Sequence, residues 1–88
     1  MAQRIRVGRP RPNLRVESVD WTGTFEDIPA KWRATGCFRL NDHGDLMVLT
    51  LHGWLSAEVG EKLVRNPGSK DFMPVARAVY NDKYEDDE

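Results

Sequence analysis

Hydrophobic and polar positions alternate with a period of two in several stretches, and there the chain reads as strand. Residues 37–40 (CFRL) and 46–51 (LMVLTL) flank NDHGD, where Asn41 and Asp42 favour a turn and Gly44 tolerates positive φ. Setting Leu40 opposite Leu46 places Phe38 against Val48 and Cys37 against Leu49. The second strand is apolar on both faces, which predicts a central strand with a neighbour on each side. Residues 4–7 (RIRV) alternate charged and apolar and predict a short edge strand, broken by GRPRPN. In LRVESVDW, Leu14 and Val16 share one face and Val19 and Trp21 the other; the change of phase near Ser18 predicts a bulge or a strand end.

Elsewhere the spacing is helical. Ile28 and Trp32 lie four apart, with Asp27 as cap, Pro29 in the first turn and Gly36 as stop. Residues 56–69 (SAEVGEKLVRNPGS) predict a helix capped by Ser56. Val59 and Leu63 would face inward, with Glu58–Lys62 and Glu61–Arg65 as exposed pairs. Residues 69–84 predict a last helix with Phe72, Val75, Ala76 and Val79 as its stripe, provided Pro74 falls in the first turn; VARAVY also alternates as a strand would. The expected class is α+β: a small antiparallel sheet centred on a 37–51 β-hairpin, with two or three short helices packed on it.

Length changes this picture little, since 88 residues fit one domain. With 31% charged residues and no apolar stretch behind the first arginines, neither a membrane span nor a signal peptide is expected. Cys37 is the single cysteine, which excludes an internal disulfide and suits a reducing cytoplasm. Trp21, Trp32 and Trp54 are accounted for by packing.

Charge changes it more. Residues 1–16 carry five arginines and no acid, whereas 81–88 carry five acids against Lys83. This divides the chain into a basic, Arg/Pro-rich arm (1–13), a domain (14–80) and an acidic tail (81–88). The two ends can pair within a molecule, between copies as a homo-oligomer, or with separate partners.

Catalytic chemistry finds little support. Cys37, His43 and His52 are the polar candidates for nucleophilic or metal chemistry, but the hairpin register separates them. NDHGD lacks the order of a calcium loop and reads as a turn. No glycine-rich phosphate cradle precedes a helix. A helix-turn-helix at NPGS would put Pro74 inside the recognition helix, so an αα-hairpin is expected there. No cofactor, no metal and no enzymatic activity are expected.

The arm offers recognition chemistry. Arg4, Arg6, Arg9, Arg11 and Arg15 present guanidinium forks that bind carboxylate or phosphate through paired hydrogen bonds, and Pro10 and Pro12 stiffen the stretch. Tyr80 at the end of the domain and Tyr84, Asp86 and Asp87 of the tail are candidates for a secondary contact. Five phosphate contacts would give a log–log salt slope of about −4, but 14 acids oppose 13 bases in the whole chain. The sequence therefore predicts a small non-enzymatic interaction protein that docks on a larger assembly through its arm. The first partner class is a protein with an acidic face, reached in one version by adding a strand to the partner's sheet. A virion component and an inhibitor of a host protein both fit, with a cytoplasmic or virion location. Sequence-tolerant nucleic-acid binding is the alternative.

Overall fold

A computed structural model describes residues 3, 5–10, 16–65 and 71–86, with backbone alone for 8–10 and 83–86. Its elements in chain order are β1 (Arg6–Pro10), β2 (Val16–Asp20), a 3₁₀ turn (Phe25–Asp27), α1 (Ala30–Arg33), β3 (Phe38–Leu40), β4 (Leu46–Thr50), β5 (Gly53–Ala57), β6 (Lys62–Arg65), β7 (Phe72–Val75), α2 (Arg77–Lys83) and β8 (Tyr84–Asp86). The strands build two antiparallel sheets, one in the order β7-β6-β2-β1-β8 and one in the order β3-β4-β5.

The hairpin takes the register that its pattern dictates: Leu40 faces Leu46, Phe38 faces Val48, and β4 is central in its sheet. The Leu49 amide donates to the Cys37 carbonyl at 2.8 Å, extending the same register. Asn41 closes the turn, its Oδ1 accepting from the amides of His43 and Asp45 at 2.9 Å each. The sheet is not, however, centred on this hairpin. The larger sheet is built around β2 and β6, and the hairpin sheet packs against it.

The phase change near Ser18 is neither a bulge nor a strand end. Glu17 to Asp20 pair without a break against Arg65 to Lys62. The strand simply buries both faces. Val19 and Trp21 enter the main core with Ile28, Trp32, Phe38, Leu46, Val48, Ala57, Leu63 and Phe72. Val16 points the other way, into a smaller cluster with Val64 and Tyr80. The main core is knitted by aromatic contacts: Trp32 stacks on Phe38 at 6.1 Å, and Phe72 meets both rings edge-on at 4.9 and 4.7 Å.

The helix expected over 56–69 is absent from the described part of that stretch. Residues 58–61 form a turn and β6 follows. Gly60 has φ 97°, which a helix does not contain, and the Glu61 amide donates to the Glu58 carbonyl at 3.0 Å. Lys62, Leu63 and Val64 are consecutive and all buried, a pattern that a strand covered on both faces produces. Val59, expected inside, is 67% exposed. Lys62 and Arg65 meet Asp20 and Glu17 across the ladder at 2.8 and 3.8 Å, not the glutamates four residues back.

Residues 72–83 also differ from a single helix. Phe72–Val75 is strand and the helix begins at Arg77. Pro74 is tolerated because β7 lies at a sheet edge, where a missing N–H costs least. Ala76 and Val79 are exposed, and Tyr80 is the buried one among the described side chains of α2. Asp27 does not cap α1: its Oδ2 accepts from the Thr22 hydroxyl at 2.7 Å, and Pro29 takes the cap position.

The strand expected at 4–7 forms over Arg6–Pro10, running on through Gly8, and it is not an edge. It pairs with β2 on one side and with β8 on the other. The Gln3 side chain supports its approach, accepting from the Asp20 amide through Oε1 at 2.9 Å and donating to the Asp20 carbonyl through Nε2.

Candidate functional site

Three regions gather side chains with chemistry beyond packing. The first is the outer face of the hairpin sheet. Alternation turns Phe38, Leu46, Val48 and Ala57 into the core, so Arg39, Met47, Leu49 and Trp54 point outward. Arg39 is opposite Met47, and Leu49 is opposite Trp54. The Arg39 guanidinium reaches across the central strand and lies 4.2 Å from the centroid of the Trp54 ring. Leu49 is 38% exposed and Trp54 half-buried. Among the described residues, no carboxylate pairs with Arg39. The sequence pattern accounts for Trp54 by packing alone. The signal that separates it from Trp21 and Trp32 is register: once Val48 points inward, Leu49 and its partner Trp54 must point out.

The second region lies between α2 and the larger sheet. The Lys62 ammonium is buried, 2.8 Å from Asp20 Oδ1 and 5.1 Å from the Tyr80 ring centroid. Arg77 donates to the same Asp20 oxygen at 3.1 Å and, through Nε, to the Gly60 carbonyl at 3.2 Å. The Ser18 hydroxyl donates to Tyr80 Oη at 3.1 Å. Burial pushes the Asp20 carboxyl up, but the hydrogen bond and charge of Lys62, with Arg77 and Arg6 behind them, hold it below the ordinary carboxylate value. These contacts fasten α2 to the sheet and keep Asp20 charged.

The third region is the sheet margin where the two oppositely charged ends meet. β1 and β8 are antiparallel, with Gly8 opposite Asp86, Arg9 opposite Glu85 and Pro10 opposite Tyr84. Arg6 is exposed at the start of β1. Arg4, Arg11, Arg15 and Asp87 lie outside the described residues, and Arg9, Tyr84 and Asp86 are placed by backbone alone. Tyr80 is 1% exposed, so it packs inside and offers no ring to a partner.

The candidates for nucleophilic or metal chemistry are dispersed. Cys37 is half-buried at the entry to β3, its Sγ 3.9 Å from the Thr35 carbonyl. His43 is exposed in the β3–β4 turn, and His52 is exposed in the turn between β4 and β5 rather than on a sheet face. Among the described residues, no three His, Cys, Asp or Glu side chains converge to hold a metal ion. A depression of about 350 Å³ opens beside Trp21, Gly23, Asp45 and Glu58. No described helix is long and apolar enough to cross a membrane. No family model, curated protein or solved structure matches the chain.

Proposed function

We propose that this chain is a non-enzymatic interaction protein whose principal contact is the outer face of the hairpin sheet, and whose partner is a protein surface combining apolar side chains with a carboxylate. The observation that carries this reading is the Arg39–Trp54 pair. Tryptophan, arginine and methionine are the residue types that protein interfaces enrich, and the first two dominate their hot spots. Here they lie on one sheet face, Arg39 and Trp54 on the two outer strands and Met47 and Leu49 on the central strand between them. The guanidinium fork has no described carboxylate of its own, and a carboxylate on a partner satisfies it through two parallel bonds.

Protein is favoured over nucleic acid as the partner. Arg39 is the cation of this face, and one phosphate contact gives a log–log salt slope of only about −1. The arginine-rich segment 4–15 is the second contact in this reading, and it is reached separately.

Affinity capture compared across three forms of the chain tests the assignment. Arg39→Ala and Trp54→Ala should each release the partner that the wild-type protein retains, with circular dichroism unchanged. Loss confined to a variant with Arg4, Arg6, Arg9 and Arg11 all changed to Ala would move the contact to the amino-terminal segment. Retention by all variants would refute both placements. Binding of labelled single-stranded DNA or RNA at about 50 mM salt, lost in Trp54→Ala, would favour the nucleic-acid alternative.

A further inference from the structure

We infer that the margin of β1 turned away from β2 is a strand-addition site for an acidic, extended segment of a partner protein, and that β8 is its resident occupant. This inference stands apart from the Arg39–Trp54 face and uses different residues. An exposed strand margin binds an extended peptide through main-chain hydrogen bonds, and side chains then select among peptides. In this chain the margin belongs to the arginine-rich segment and its occupant to the acid-rich one, joined in a defined antiparallel register. Opposite charges across such a ladder favour the pairing, and like charges oppose it.

Several features make the occupant exchangeable. β8 is three residues long and stands last in the sheet order, so among the described strands β1 is its single neighbour. One of its three register positions faces Pro10, which has no N–H to donate. β1 does not depend on β8 for its place, because it also pairs with β2 over Arg6 to Gly8, and β2 is held in turn by β6. α2 has anchors outside β8 as well. The anchors of that helix, Arg77 and Tyr80, precede β8 and bind Asp20, Gly60 and Ser18. β8 can therefore leave the margin with the sheet and the helix in place. Nucleic acid has no amide ladder with which to replace it, so the chemistry points to peptide.

The probe is a fluorescein-labelled peptide with the sequence of residues 80–88, YNDKYEDDE, titrated against full-length protein and followed by anisotropy. In the wild-type chain the attached segment competes at a high effective concentration. A full-length variant carrying Glu85→Pro and Asp86→Pro loses donors and strand geometry at the margin. It should bind the peptide at least about 10-fold more tightly than wild type does. A peptide with its acids changed to Asn and Gln should bind more weakly to both proteins. If the proline variant loses its native circular dichroism, full-length Glu85→Gln/Asp86→Asn carries the same comparison, with a rise of about 3-fold. Equal affinity of wild type and variant would overturn the competing role of β8. Equal affinity for the acidic and amide peptides would overturn the selection of acid. Variant protein that binds an oligothymidine but not the peptide would overturn the assignment to a protein segment.

Discussion

Asp20 and Lys62 face each other in the β2–β6 ladder, and their side chains meet at 2.8 Å beneath α2. The lysine is almost fully enclosed, while the carboxylate keeps a partial view of solvent. Enclosing an ammonium costs several kcal/mol unless an anion stays beside it. Asp20 is that anion, and Arg77 shares it.

The pair makes stability depend on pH. Asp20 titrates below its ordinary value in the folded protein, so the unfolded chain binds its proton more readily. The contribution is present in full above the ordinary carboxylate range, near about pH 4, and is lost as pH falls through the folded value. Asp20→Asn should cost about 2 kcal/mol at pH 7, and its difference from wild type should shrink by about pH 3. Urea unfolding at both pH values measures this; a constant difference would show that Asp20 titrates normally.

Ser18 and Tyr80 form a second buried link between α2 and β2. Ser18→Ala and Tyr80→Phe should each cost about 1–2 kcal/mol, because each removes the buried hydrogen bond between them. The double variant should cost less than the sum by about 1 kcal/mol. A double-mutant cycle by chemical denaturation checks the coupling, and strict additivity would mean that the two hydroxyls do not interact.

Gly60 gives a test in which the sign alone decides. In a helix spanning 56–69, Gly60→Ala would stabilise by about 1 kcal/mol. In the turn observed, with φ 97°, the same change should destabilise by about 1–2 kcal/mol. An added Cβ meets no atom within 4 Å, so the cost is one of backbone conformation and not of crowding. Thermal unfolding of the variant distinguishes the two.

Trp32 fills the centre of the main core, but its Nε1 is buried with no hydrogen-bond partner among the described residues. Replacing a buried tryptophan with alanine costs about 3–5 kcal/mol. Trp32→Phe should cost only about 1 kcal/mol, since the smaller ring also removes an unsatisfied donor. A loss as large as that of the alanine variant, measured by urea unfolding, would show that the indole N–H is satisfied.

The features legible in the sequence are those written locally. The 37–51 hairpin was legible because its two strands are adjacent, and Asn41 and Gly44 specify the turn between them. Ile28 and Trp32 are both buried as their spacing predicts, although Ile28 lies in extended backbone just before α1. Segments 58–65 and 72–75 carry a helical spacing but form strands, because the neighbours that decide the matter are distant. Lys62, Leu63 and Val64 make sense as a run only between β2 and β7, and i,i+4 spacing of Glu58 with Lys62 imitates a helix without one. Lysine inside a core looks like a surface residue until Asp20 is placed opposite it. The Arg39–Trp54 contact joins two edge strands across a third, so it becomes visible only after the register of all three is known.

The β1–β8 ladder brings together two strands with the six others between them in sequence. Closing so large a loop is entropically expensive, and such pairings form late in folding. During synthesis β1 and β2 leave the ribosome before β8, so this flank of β1 stays uncovered until β8 follows. The positive charges of that strand give it protection during the interval, because they repel the same strand of a neighbouring nascent chain.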